Sequence, residues 1–255
     1  MLIRISLLGL VAYVLFRTVH KPGSTWSRIG GALGVLGGIA PAIWVMAARG
    51  VSSKLVVGYG VLFFLFSVLM KTALYLVLSK HVYSSLGPAP EALIHGPLSS
   101  ACELGIAAIA FGLVLPNLGL WQVFGFGAGA AAVEAIIVSL QQNPLVGTQV
   151  GTHIADQTLK LQSGPAWLVV AVPVMDRGLA TTAHIACRGL VAAGIASRRL
   201  WPGAIAFLAF AATDGFVMYC HVRKWEFAKP VLAARLFSVP ALATASSVVA
   251  WYLTT

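Results

Sequence analysis

The sequence predicts an all-α fold, a polytopic bundle of about eight transmembrane helices. Three observations carry that prediction. Only 9% of the 255 residues are charged (17 basic, 7 acidic), where a soluble domain carries about a quarter. Hydrophobic residues make up 59%. They stand in long runs of about 20, the length that crosses a bilayer core, without the alternation of polar and apolar positions that a barrel strand shows over about ten residues. The composition excludes a soluble globular protein and a disordered chain. It also excludes nucleic acid as a partner, because the net charge of +10 has no hydrophilic domain to carry it.

In chain order, the runs fall at about 3–19, 29–48, 55–79, 97–116, 120–141, 167–197, 201–221 and 231–253. The first looks like a signal peptide. It lacks a clear small-residue cleavage site and is followed by Arg17, so it is read as a retained helix. Breakers punctuate the rest: His20-Lys21-Pro22-Gly23, Gly87-Pro88-Ala89-Pro90, Asn143-Pro144 and Trp201-Pro202-Gly203. Trp26, Trp44, Trp121, Trp167, Trp201, Trp225 and Trp251 all stand near span ends, where the amphipathic indole favours the membrane interface. Cys102, Cys187 and Cys220 fall inside apolar runs and read as packed thiols, with no zinc spacing. The loop 142–165 is polar and carries His153 and Asp156. A solvated histidine is favoured there over a shared metal. One membrane domain, 1–255, is expected, with its site-bearing core at 97–220.

Lys and Arg set the orientation. Nine of them fall in the first, third, fifth and seventh loops, and five on the opposite side. The positive-inside rule then puts both termini outside the cytoplasm. The lipid bilayer is the first partner, and the basic loops also suit anionic lipid headgroups.

Four of the seven acids fall inside spans: Glu103, Glu134, Asp176 and Asp214. An ionised carboxylate at mid-bilayer costs about 2.5–3.5 kcal/mol on insertion scales. These groups must therefore be paired, protonated or turned to a wet cavity. Lys71, Arg177, His184 and Arg188 are the intramembrane partners available. Arg177, Thr181, His184 and Arg188 are spaced 4, 3 and 4, so at about 100° per residue they form one polar stripe that should face inward. An interhelical cluster that only fixes packing is the plain alternative to a working site. In the fifth span, Gly125-Phe126-Gly127-Ala128-Gly129 precedes Glu134. The small residues read first as close helix contact, and they leave a carboxylate where backbones crowd and water is scarce, a setting suited to general acid–base work.

These segments resemble the YhfC family of glutamic-type membrane peptidases, distant relatives of the CAAX-prenyl and bacteriocin-processing membrane proteases. Phe124-Gly125-Phe126-Gly127-Ala128-Gly129-Ala130 leading to Glu134-Ala135-Ile136 is similar to the family's Gly-rich helix. Asp176-Arg177 with His184-Ile185-Ala186 resembles its acid–Arg pair followed by His. Cys102-Glu103-Leu104-Gly105 resembles its earlier acidic helix, and Asp214 its last polar position. The resemblance covers roughly 97–220. It implies a bacterial plasma-membrane protease acting on a membrane-embedded peptide. Glu134 or Glu103 would activate water, His184 would assist, Arg177 would hold a carboxylate or carbonyl, and Asp214 would orient a partner. The chain departs from the pattern in three places. Cys102 replaces an acid beside Glu103, with Ile106 and Ala107 where an Arg is usual. Ala128 stands at a usual His. Ala209–Thr213 lacks the His expected ahead of Asp214.

The alternative is therefore an inactive relative that serves as a structural or partner-binding subunit of a membrane complex. A proton-coupled carrier is a third reading, since intramembrane acids and His also build proton relays, but no repeat symmetry supports it. No cofactor motif is present, and a metal ion is left open. His20, His81, His95 and His221 stand near span ends and read as interfacial; His184 is the only deep histidine, which disfavours bis-histidine haem.

Overall fold

The computed structural model describes residues 12–16, 24–82, 88–141 and 160–254, and among these it is an all-α bundle. Seven helices are long and apolar enough to cross a membrane. They are α1 (Thr25–Ala48), α2 (Val51–His81), α3 (Pro88–Ile109), α4 (Leu120–Gln141), α5 (Ala166–Ser197), α6 (Leu200–Val222) and α7 (Pro230–Tyr252). They match seven of the eight expected spans. The first expected span lies mostly outside the described residues, where only 12–16 is seen as helix. His153 and Asp156 also lie outside them.

Helix starts differ most from expectation where polar or proline residues open a helix. α1 begins four residues early because Ser24 caps it, its side chain accepting the Ser27 N–H at 3.2 Å. α3 begins at Pro88, nine residues before the expected start. A proline costs nothing in a first turn, where its missing N–H has no partner to lose. Pro97 then lies inside α3. The end of α3 widens into a π turn over Ala110–Val114, where the Leu115 N–H reaches the Ala110 carbonyl at 2.8 Å.

α5 is the hub of the bundle: it packs against α1, α4, α6 and α7, while α3 pairs with α6 and α2 with α4. α4 is wrapped on several sides because its glycines point different ways. A Cβ on Gly127 would stand 2.6 Å from the Ile185 Cα of α5, and one on Gly129 would strike the Val57 carbonyl of α2. The glycine-rich run thus lets three backbones meet around Phe126 and Ala128, both fully buried. A second close crossing joins Gly96 of α3 to α6, where a Cβ would lie 3.0 Å from the Gly215 Cα and would strike the Ala211 carbonyl.

Five of the seven tryptophans (Trp26, Trp44, Trp121, Trp167, Trp201) are exposed near helix ends. Trp251 instead packs on Gly189. Apolar side chains such as Leu69, Leu113 and Leu208 cover the outer surface, as a lipid-facing bundle requires. All three cysteines are buried free thiols.

Candidate functional site

The stripe on α5 faces the bundle interior. Arg177, Thr181, His184 and Arg188 are all buried, Arg188 almost completely. Each charged member meets a group from another helix or from its own chain neighbour, and the contacts join into one continuous line of side chains.

The line starts at Asp176, whose carboxylate accepts from Arg177 Nε at 2.8 Å and pairs with Nη2 at 2.7 Å. Arg177 Nη1 lies 3.3 Å from Glu134 Oε1 of α4. The other Glu134 oxygen bonds His184 Nε2. His184 Nδ1 lies 2.5 Å from Arg188 Nη1, and Arg188 Nη2 donates to Glu103 Oε2 of α3 at 3.2 Å. The second Glu103 oxygen accepts from Lys71 Nζ of α2 at 2.7 Å. Lys71 also donates to Ser99 Oγ at 3.0 Å, and Ser99 donates to Asp214 of α6. Five helices supply this line. Glu103, Glu134, Arg177, His184 and Asp214, the five residues singled out from the sequence, all belong to it.

The partners of His184 fix its tautomer. A guanidinium carries donors only, so Nδ1 accepts from Arg188. The ring proton then sits on Nε2 and is donated to Glu134. Phe64 and Phe210 meet the imidazole edge-on, each with centroids 5.4 Å away, and leave it only 3% exposed.

The middle of the line and its flanks differ in access. Glu103 is sealed, 4% exposed. The Glu134 side chain is 27% exposed and that of Asp176 38%. Glu134, Asp176, Arg177 and Asp214 line a cavity of about 320 Å³ whose remaining wall is largely apolar, including Leu179, Phe227, Leu236 and Phe237. That volume lies at the low end for small-molecule sites. It takes a few side chains or a short extended peptide, and it is too small for a whole helix about 10 Å across.

Sequence reasoning did not anticipate that His95 and His221 line the same cavity. A signal for His95 was present: His95, Ser99 and Glu103 recur every four residues on one face of α3. His221 likewise stands seven residues after Asp214, two turns along α6. Ser99 gave no signal of its own. Among the described residues, no group of three or more His, Cys, Asp and Glu side chains is placed to hold a metal ion.

Fold and site together define a multi-pass helical membrane protein with a buried, mostly ion-paired chain opening on an intramembrane cavity. Comparison with family models, with curated proteins and with solved structures finds no match to this chain.

Proposed function

We propose that the protein is an intramembrane hydrolase of the glutamic type that cleaves a membrane-embedded peptide, with Glu134 as general base. One observation carries the reading: Glu134 is held by two donors from α5, and its part-exposed side chain lines the cavity. An oriented base beside open space is what activation of water requires. Glu134 would take a proton from a cavity water while the hydroxide oxygen adds to the peptide carbonyl carbon. Arg177, which lines the same wall, would face the developing oxyanion. Collapse of the adduct breaks the C–N bond, and the proton held by Glu134 passes to the leaving nitrogen. Asp214, on α6, would orient the peptide.

His184 and Glu103 take different parts from those the resemblance implied. Both are sealed from the cavity wall, so they are positioning residues that hold Glu134 and Arg188 in place. The resemblance to the YhfC family supports the reading through residue order alone.

The test is incubation of the protein in proteoliposomes with a library of transmembrane peptides, followed by mass spectrometry. Wild type should yield defined fragments and Glu134→Gln none. Equal fragment yield from both would remove Glu134 from the mechanism, and no fragments from wild type would remove the activity.

A second reading, an inactive partner-binding subunit, is favoured by Ala128. The family pattern carries His there, whereas Ala128 is completely buried among Val45, Val57 and Ile185. Co-purification of a stoichiometric membrane partner without proteolysis is the outcome that selects this reading.

A further inference from the structure

The buried line does not balance. It holds four carboxylates, Asp176, Glu134, Glu103 and Asp214, against three permanent cations, Arg177, Arg188 and Lys71. His184, accepting from Arg188, adds no charge. Each of the first three carboxylates contacts a cation directly. Asp214 reaches Lys71 only through the hydroxyl of Ser99. The cavity wall repeats the imbalance: among the described residues, Glu134, Asp176 and Asp214 line it beside one cation, Arg177. A buried carboxylate short of a counter-charge is costly inside a membrane, and Asp214 stands on the cavity wall.

His95 adds a second, separate shortage. It lines the same cavity, its ring is held edge-on by Tyr75 at 5.9 Å, and its buried Nδ1 has no hydrogen-bond partner. Phe227, Leu236 and Phe237 give the same cavity an apolar part of its wall.

We infer that the cavity binds a primary ammonium group carried on an apolar chain, with Asp214 as its counter-ion. The inference rests on the cavity being the substrate site and names the substrate class: a membrane peptide presenting a lysine side chain or a free amino terminus. An ammonium is a compact charge with three N–H donors. Asp214 accepts one, and a turn of the His95 ring would bring its unpartnered Nδ1 to another. The apolar chain then lies along Phe227, Leu236 and Phe237. An organic cation suits the apolar part of the lining, which a bare metal ion would leave unused.

Four apolar peptides of the same length separate the sources. One carries a central lysine and an acetylated N-terminus. A second has norleucine in place of lysine and a free N-terminus. A third carries both amines, and the fourth, acetylated with norleucine, carries neither. Binding is read by fluorescence anisotropy on the full chain in zwitterionic nanodiscs, corrected against empty discs. At least one single-amine peptide should bind about tenfold or more tighter than the uncharged one. Which one does so identifies the amine. Asp214→Asn should abolish that preference, bringing charged and uncharged peptides to one affinity, and its melting curve in the same nanodiscs shows whether the variant is folded. Equal affinity of charged and uncharged peptides for wild type overturns the inference, as does a preference that survives in Asp214→Asn and means Asp214 holds its own proton instead. If Asp214→Asn does not fold, His95→Phe decides: it should narrow the preference several-fold, and an unchanged preference counts against the site. Mass spectrometry of the same samples reads cleavage separately. Charge-selective binding without cleavage sinks the hydrolase reading alone, and cleavage without charge selectivity sinks the ammonium site alone.

Discussion

Two lysine–glutamate pairs in this molecule have the same length. Lys71 and Glu103 meet at 2.7 Å inside the bundle, and Lys229 and Glu226 meet at 2.7 Å in the turn between α6 and α7. Their surroundings are opposite. The Glu103 side chain is 3% exposed, whereas those of Lys229 and Glu226 are 67% and 46% exposed. Glu103 also serves Arg188, so its loss strands two cations, while the loss of Glu226 strands none in a dry place. Equal distance therefore says little about energy. Solvent and the number of dependants decide it.

The largest expected effect follows from that contrast. Glu103→Ala should destabilise the protein by about 3–5 kcal/mol, the usual cost of leaving buried charge uncompensated. Thermal unfolding in detergent measures it, and a loss below about 1 kcal/mol would mean that Arg188 and Lys71 find other partners or water. Replacing the whole cluster sharpens the comparison. The fourfold change Lys71→Met, Glu103→Leu, Arg188→Met and Asp214→Asn should be less harmful than Glu103→Ala alone, since it removes two cations and two carboxylates together and strands no charge.

Glu134 comes next, and it separates stability from activity. Glu134→Gln keeps the shape and leaves Arg177 paired with Asp176, so the melting temperature should fall less than for Glu103→Ala. Peptide cleavage should drop by about 10²–10⁴, the range for loss of a general base. The reverse pattern, a large loss of stability with turnover retained, would exchange the roles given to the two glutamates.

How much of this was legible in the sequence depends on whether the signal is periodic or pairwise. The α5 stripe could be read because its 4, 3, 4 spacing is set by one helix alone. Span 120–141 matches α4 at both ends because apolar residues fill it from end to end. The start of α3 was misplaced because Pro88 and Pro90 read as breakers, although a first turn tolerates proline. Which acid meets which base could not be read. Glu134 and His184 are 50 positions apart and Ser99 and Asp214 are 115 apart, and only packing of the helices decides such contacts. His95 was assigned to the membrane interface because it stands near a helix start. Its register with Ser99 and Glu103 was the better guide.

A smaller effect tests the packing that brings α4 to α5. Gly127 lies two turns before Glu134, and a Cβ there would stand 2.6 Å from the Ile185 Cα and 3.0 Å from the His184 carbonyl. Both neighbours are backbone, so the helices must separate. Gly127→Ala should cost about 1–3 kcal/mol as an overpacked contact and should weaken cleavage by moving His184 from Glu134. Unchanged activity at reduced stability would show that the Glu134–His184 bond adapts to the shift.

The smallest effect closes the comparison with the surface pair. The Lys229 ammonium hydrogen-bonds Glu226 and, by its charge, holds that carboxyl below its ordinary value of 4.5. A depressed carboxylate stabilises the folded state above its unfolded value, and that contribution fades as the pH falls through the folded value. Water surrounds both partners, so the contribution is screened almost entirely. Glu226→Gln should therefore match wild type in melting temperature at pH 7 and again at pH 4, within measurement error. A clear loss at pH 7 that disappears at pH 4 would mean that the turn between α6 and α7 is shielded from solvent, as it would be if lipid headgroups or a partner covered it in the membrane.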